Sequence, residues 1–416
     1  RKIMAGLVQD IKLLGENLPW LRQLRRDGLA AFEKQGIPSA KTEAWKYTKP
    51  RDLNADDFEM NVSSEIGDDK FELPFEAYRI HFNNGIFDPS QTELPQGVQV
   101  LPLIEAVLLQ GDVRGYLGRL VKMERHPFAA LNTCYLNEGV FIRVEKNVSL
   151  KKPLVLINHT MSGTANLFFN LRNLLVLEDG ASAKFVEVWH YTGEVKSRYF
   201  ANVVNEMFIG RHARLEHYKY QNEAFKANHV ALNVAEVKAG GEYHAFCLQK
   251  GANIARNETR VLLAEEQSRA EVNAAYRMNG WATLDTTTDV EHLSPCTYSE
   301  QLVKGVVGGD ARGVFQGKIN IAPDCVKTEG RQLHKALLLS DTAEIDVKPE
   351  LEIFADDVKC SHGAASGELD ENMLFYMQSR GIGREEARAI LIAAYLDDVI
   401  NKIADEDVRG WIRSLA

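Results

Sequence analysis

Cysteine is scarce in this sequence, and none of it is paired. The 416 residues contain five cysteines with no CxxC or CxC spacing among them: Cys134, Cys247, Cys296, Cys325 and Cys360. An odd, scattered set argues against a disulfide framework and favours a reducing compartment. The same scatter excludes a zinc ribbon or a four-cysteine cluster built from local sequence. Any metal bound here therefore needs ligands that the fold or a partner brings together.

Long apolar runs and basic clusters are also missing. No apolar stretch reaches the roughly 18 residues that can span a membrane, and the N-terminus lacks the basic-then-apolar pattern of a secretory signal. The net charge is −9 with no Lys/Arg-rich block, which argues against a nucleic-acid-binding protein. With 45% hydrophobic and 26% charged residues, the composition is ordinary for a soluble chain long enough to hold more than one domain.

The common catalytic motifs are absent as well. Residues Gly305 to Ile319 are rich in glycine and contain Gly-Lys, but they lack the spacing and the Ser/Thr of a phosphate-binding P-loop. Turns and tight coils are the better interpretation of these glycines. No GxSxG, HExxH or HxH motif occurs, and no GxGxxG follows a predicted strand. We therefore expect no catalytic residues and no nucleotide bound by this chain.

What the sequence does contain is a repeat of short strands. Strand-like runs rich in Val, Phe, Tyr and Leu follow polar turns that share a small residue, at Ala181, Ala213, Gly241, Ser268, Ala311 and Ala343. These positions are roughly 30 residues apart, with one longer gap, which is typical of solenoid repeats. Each unit is too small to bury its apolar face alone, whereas stacked units share one core. The pattern predicts a β-helix; a β-sandwich with regular hairpins is the alternative.

Helical periodicity appears at both ends. We predict a helix from Pro19 to Gly36, followed by an exposed acidic linker from Asn54 to Lys70. Apolar stripes return near the C-terminus, where the last helix follows Asp405. Such stripes dock either onto the same chain or onto a partner. The predicted regions are an N-terminal helical region with its linker (1–75), a β-strand region (76–367) and a C-terminal helical domain (368–416).

The strongest chemical candidate is the segment from Ala355 to Gly363. If it is extended, Cys360 and His362 lie on one face about 7 Å apart, and Asp356 shares that face while Asp357 does not. A thiolate and an imidazole suit iron or zinc. Two ligands do not close a site, so others must come from elsewhere. A buried structural cysteine beside a hydrogen-bonded histidine is the alternative.

The remaining candidates are weaker. Cys134 and Cys247 have apolar, strand-like surroundings and are predicted core residues. Cys296 and Cys325 lie near turn signals, so we expect them to be more exposed but inert. His334 is a loose second candidate, with surface or core packing as the alternative.

Three segments resemble one family. Lys41–Thr48 resembles the Lys-x-Glu-x-Trp-Lys-Tyr-Thr signature of SufD proteins, Lys348–Ala364 the segment that closes the family's β-helix, and Leu374–Ile382 the start of its C-terminal helical domain. The chain thus resembles the SufB/SufD family of iron–sulfur cluster assembly proteins, and its SufD members most. The cysteine-rich N-terminal motif of many SufB proteins is absent, and His362 precedes Gly363 where SufB typically has His-Glu.

The resemblance implies a mainly β fold, with a right-handed parallel β-helix core flanked by N-terminal and C-terminal helical domains. It implies a non-catalytic scaffold that pairs with SufB through the β-helix and binds the SufC ATPase through its C-terminal helices. Cys360 and His362 match the interface at which a nascent iron–sulfur cluster, or iron, is held transiently. Implied SufC contacts are Tyr376, Arg380, Ile390 and Leu391. The implied location is the cytoplasm, or the plastid stroma in a plastid-bearing organism, and unpaired β-helix edges suggest a homodimer in isolation.

Two other functions are alternatives. A polysaccharide-active β-helix enzyme would use Asp356 and Asp357, but adjacent carboxylates in a strand point to opposite faces, which is poor geometry for an acid and a base. A purely structural interaction protein would have no metal role. Anaerobic reconstitution with iron and sulfide would separate this last alternative from an assembly scaffold.

Overall fold

The computed structural model describes residues 13–50, 58–60, 71–88, 94–161, 166–193 and 197–416. The α-helices in this part of the chain are α1 (Pro19–Gln35), α2 (Leu103–Leu109), α3 (Pro127–Cys134), α4 (Glu371–Ser379), α5 (Arg384–Ile400) and α6 (Glu406–Leu415). Two short 3₁₀-helices occupy Glu43–Trp45 and Val113–Gly115. No helix within the described ranges has the length and apolar character needed to cross a membrane.

Strands make up most of the structure. In chain order they are β1 (Glu59–Met60), β2 (Tyr78–Asn83), β3 (Ile86–Asp88), β4 (Val98–Pro102), β5 (Val140–Val144), β6 (Leu154–Met161), β7 (Leu167–Leu177), β8 (Ser182–Thr192), β9 (Tyr199–Ile209), β10 (Arg214–Asn222), β11 (Ala227–Val237), β12 (Glu242–Gln249), β13 (Ile254–Leu263), β14 (Arg269–Gly280), β15 (Thr283–His292), β16 (Tyr298–Gly309), β17 (Arg312–Ile321), β18 (Thr328–Leu338), β19 (Glu344–Ile353) and β20 (Val358–Glu368).

From β5 onward, consecutive strands alternate between two sheets. Sheet 1 has the order β19-β17-β15-β13-β11-β9-β7-β5-β4, with β1 also paired to β7, and sheet 2 has the order β20-β18-β16-β14-β12-β10-β8-β6-β2-β3. The ladders are parallel from β5 to β19 and from β2 to β20. The chain therefore advances by one strand in each sheet per coil. This confirms the predicted β-solenoid over a hairpin-built sandwich.

The small residues of the sequence repeat lie at the corners of the coils. Each donates its backbone N–H to the carbonyl oxygen three residues earlier: Ala181, Ala213, Gly241, Ser268, Ala311 and Ala343. The first four precede strands of sheet 2, whereas Ala311 and Ala343 precede strands of sheet 1. The repeat predicted from the sequence thus combined two different sets of corners, one column before the strands of sheet 2 and one column before the strands of sheet 1. The longer gap marks the change of column, because the sheet 2 corner after Ser268 is Thr297, which has no small side chain.

Apolar side chains fill the interior of the coils and also cover both outer faces. Along β7 and β9 every residue is buried, as expected for strands covered on two sides. Helices α1 to α3 pack on the outer face of sheet 1 over β7, β9 and β11, and their clusters include Leu21, Ile104 and Phe128. Helices α5 and α6 pack on sheet 2 through residues such as Leu396 and Trp411. The solenoid is therefore flanked by helices on both sheets.

The helical ends follow the sequence prediction closely. Helix α1 begins at Pro19 and ends before Gly36, whose φ is 68°, and Asp405 caps α6 by accepting a hydrogen bond from Val408 N. The predicted Asn54–Lys70 linker lies outside the described residues except for positions 58–60. There the prediction of an exposed linker is wrong, because Phe58 is buried and Glu59–Met60 pairs with β7. The right-handed winding and the domain boundaries stay predictions.

Candidate functional site

The candidate site lies on the last coil of the solenoid. Within the described part of the chain, β19 pairs only with β17 and β20 pairs only with β18. The outer edges of both strands therefore present unpaired backbone N–H and C=O groups. Such edges are natural templates for pairing with another chain.

Cys360 and His362 lie on one face of β20, as predicted from their spacing. Cys360 is opposite Gly330 of β18, and His362 is opposite Gln332. Cys360 is half-buried and packs against a small apolar cluster around Ile319, whereas His362 is exposed. The two side chains are neither far apart along the strand nor sealed inside the core.

Gly330 lies beside the Cys360 thiol. A Cβ added at Gly330 would lie 3.6 Å from Cys360 Sγ and 3.1 Å from Ile319 Cγ2. Burial raises the pKa of the Cys360 thiol, and a hydrogen bond from the backbone of Gly330 partly offsets that rise. At neutral pH the thiol therefore keeps its proton, and a bound cation would be needed to ionise it.

The neighbouring aspartates do not join this face. Asp356 and Asp357 form the corner before β20, which begins only at Val358, and Asp357 has a φ of 52°. The predicted alignment of Asp356 with Cys360 is therefore wrong, because it assumed an extended segment. Among the residues that the structure describes, no group of three or more His, Cys, Asp or Glu side chains has a metal-binding arrangement.

The other cysteines divide by burial. Cys134 and Cys247 are buried core residues, as predicted, and burial raises the pKa of each to about 12. Cys296 is exposed, also as predicted. The expected exposure of Cys325 is wrong. It follows a turn, but its side chain packs with Ile319 and Ile321 under the last coil.

His334 and the glycine-rich stretch are parts of the core. The His334 ring stacks on Phe315, with 5.0 Å between centroids, and its Nε2 lies 2.8 Å from the hydroxyl of Tyr276. Burial lowers the pKa of His334 to about 4. A Cβ at Gly305 would lie 2.0 Å from the Tyr276 ring, so this glycine admits a large interior side chain. The prediction that tight coils explain the glycines is confirmed at this position.

The predicted partner contacts lie on α4, at its C-terminal cap and on α5. Tyr376, Arg380 and Ile390 are exposed, Leu391 is half-buried, and the Arg380 guanidinium lies 5.3 Å from the Tyr376 ring centroid. Sequence reasoning missed Phe375, which is 74% exposed and the most exposed large apolar side chain in the described residues. Its position beside Leu374, the one buried residue of α4, could have revealed it. Contiguous exposed apolar side chains of this kind mark interaction surfaces.

Family models match nearly the whole chain. Residues 159–395 match the core domain of the SUF-system FeS cluster assembly proteins SufB and SufD, and residues 9–156 match the SufBD N-terminal region. The chain therefore belongs to the SufBD family of iron–sulfur cluster assembly proteins. Within that family it is similar to SufD of Escherichia coli, with 31% identity over 388 residues, 91% of this chain and 88% of that protein.

Further relatives agree with this assignment. An iron–sulfur cluster assembly SufBD family protein of Synechocystis is 29% identical over 392 residues, covering 91% of this chain and 86% of the relative. SufD of Bacillus subtilis is 25% identical over 414 residues, covering 95% and 93%. The family assignment places this chain in iron–sulfur cluster assembly.

Proposed function

We propose that this protein is a non-catalytic scaffold subunit of a SufBCD-type iron–sulfur cluster assembly complex in a reducing compartment, the cytoplasm or the plastid stroma. Its last coil would pair with SufB, and its C-terminal helices would dock the SufC ATPase. The observation that carries the proposal is the position of Cys360 and His362 on the free edge strand β20. A thiol and an imidazole beside an unpaired strand edge suit a site completed by a second subunit.

The cluster, or its iron, is cargo at this site. Cys360 would supply a soft thiolate and His362 an imidazole nitrogen, and SufB would supply the remaining ligands. Because burial raises the Cys360 pKa, thiolate formation would be coupled to metal arrival, with the released proton passing to solvent. The same free edges would allow the isolated chain to pair with a second copy until SufB is present.

Anaerobic reconstitution tests the assembly role. The chain is co-purified with SufB and SufC, supplied with iron and sulfide, and assayed for cluster content by absorption and metal analysis. We expect Cys360→Ala and His362→Ala to fold and to assemble the complex, yet to lose most of the cluster formed by the wild type.

The matched control is Cys296→Ala, which removes an exposed thiol at a corner of the coil rather than on β20. It should retain the wild-type cluster content. Unchanged cluster formation in both site variants would remove Cys360 and His362 from the mechanism.

A further inference from the structure

The signature Lys41–Thr48 makes specific contacts that the assembly site does not explain. Trp45 is buried at its centre. The indole contacts the ring of Phe128 in α3, with 5.0 Å between centroids, and its ring centroid lies 4.4 Å from Cζ of Arg256 in β13. An aromatic side chain buried against a guanidinium gains both apolar burial and cation–π attraction. Trp45 therefore anchors this segment to the solenoid.

A buried ion pair fixes the backbone around Trp45. Arg256 is 1% exposed, and its Nη1 donates to the carbonyl oxygen of Ala44 at 2.7 Å and to Asp285 Oδ2 of β15 at 2.8 Å. The hydroxyl of Thr48 donates to the same carboxylate oxygen. Because Arg256 and Asp285 are both removed from water, losing a hydrogen-bonding partner here is costly. Both ends of the segment are thus held on β13 and β15.

The same segment also reaches the last two strands of sheet 1. The side-chain amide of Gln316 on β17 donates to the Ala44 carbonyl at 3.2 Å. On β19, Lys348 Nζ lies 2.8 Å from Glu43 Oε1. Residues Glu43–Thr48, here named the strap, therefore contact β13, β15, β17 and β19. Helices α1 to α3 cover sheet 1 mainly over β7 to β11, so the strap crosses the part of its outer face beyond them.

We propose that the strap positions the last coil, holding β17 and β19 so that β20 presents Cys360 and His362 in a fixed place. This inference rests on the proposed function, because it takes the last coil as the assembly surface. A terminal coil has a neighbour on one side only and is the first part of a solenoid to open. Trp45, Thr48 and Arg256 are positioning residues, since they act on the site through the strands.

Hydrogen exchange of the full-length isolated chain, followed by mass spectrometry, tests the strap. Trp45→Ala should increase exchange in peptides covering β17, β19 and β20, and Trp45→Phe should restore most of the protection. Thr48→Val, which removes one hydrogen bond to a buried carboxylate without changing the side-chain shape, should raise exchange there roughly tenfold. Thr48→Val keeps the test valid if Trp45→Ala does not fold.

The matched control is Phe200→Ala. Phe200 is buried in the same aromatic cluster, and its ring centroid lies 5.5 Å from that of Phe128, but it belongs to β9. Its loss should loosen β7 to β11 and leave β19 and β20 protected. A second readout is alkylation by iodoacetamide, because half-buried Cys360 should react faster relative to exposed Cys296 when the strap is released.

Exchange in β19 and β20 that stays at the wild-type level in both strap variants would overturn the positioning role. That result would leave the proposed function intact, because it involves neither partner nor metal. Conversely, full cluster formation by the Cys360 and His362 variants would refute the proposed assembly site. It would leave the hydrogen-exchange result unaffected.

Discussion

At the scale of single residues, burial decides which of the titratable groups can serve chemistry. Cys360 is half-buried, His362 is exposed and both lie on one face, whereas His334 lies enclosed between aromatic rings. The spacing of Cys360 and His362 within one strand was enough to predict that shared face. The burial of Cys325 was not predictable, because a turn signal does not show whether a side chain folds back beneath the next coil.

His334 gives a prediction about acid stability. Its pKa is about 4 in the folded chain and about 6.5 in an unfolded one. Between these two pKa values the unfolded state therefore binds a proton that the folded state does not. The free energy of unfolding falls for this reason as the pH drops from 6.5 to about 4. His334→Gln should reduce this loss by up to about 3 kcal/mol. Denaturant unfolding at several pH values measures it, with exposed His362→Gln as the control.

Gly305 gives a prediction about packing. A methyl group at this position would meet the Tyr276 ring at 2.0 Å, inside the coil where the ring cannot move into solvent. Gly305→Ala should therefore lower the free energy of unfolding by about 1–3 kcal/mol. Gly367→Ala on β20 is the control, since no atom lies within 4 Å of the added methyl. Equal stability of the two variants, measured by urea unfolding, would contradict the packing explanation.

At the scale of elements, the strands could be predicted and the corner before β20 could not. Small residues before alternating apolar runs indicated coils, but the sequence did not show that corners fall into two columns. A helix such as α1 was predictable because Pro19 and Gly36 bound an apolar stripe. The exposure of α4 was only partly predictable, since its residues are apolar on more than one side.

Helix α4 gives a prediction about partner binding. Phe375 and Tyr376 are exposed and contribute little to the packing of this chain. The double variant Phe375→Ala/Tyr376→Ala should weaken SufC binding by about tenfold or more, because exposed aromatic residues often supply the anchors of an interface. Calorimetry with purified SufC checks the affinity, and thermal unfolding should show little change. Phe225→Ala, at an exposed aromatic elsewhere, is the control; an equal effect of both variants would argue against α4.

At the scale of the whole molecule, the C-terminal helices cover the outer face of sheet 2. Ile392, Leu396 and Trp411 belong to one apolar cluster with Val186 and Phe246 of sheet 2. Deleting residues 370–416 should therefore expose that face. The loss of apolar burial should lower the stability by on the order of 10 kcal/mol. We expect the shortened chain to aggregate or to bind a hydrophobic dye strongly. A soluble, cooperatively unfolding product would show that the solenoid does not need this cover.

The number of stacked coils sets the length of the solenoid. Arg269 pairs with Tyr298 on the adjacent coil, so residues 269–297 amount to one complete turn of the chain. Excising that turn would keep each remaining side chain facing the same way but shorten the molecule by one strand spacing, about 4.8 Å. The separation between the N-terminal helices and the Cys360 thiol is thus set in whole steps by the number of turns. Evolution could change the reach of such a subunit only one step at a time.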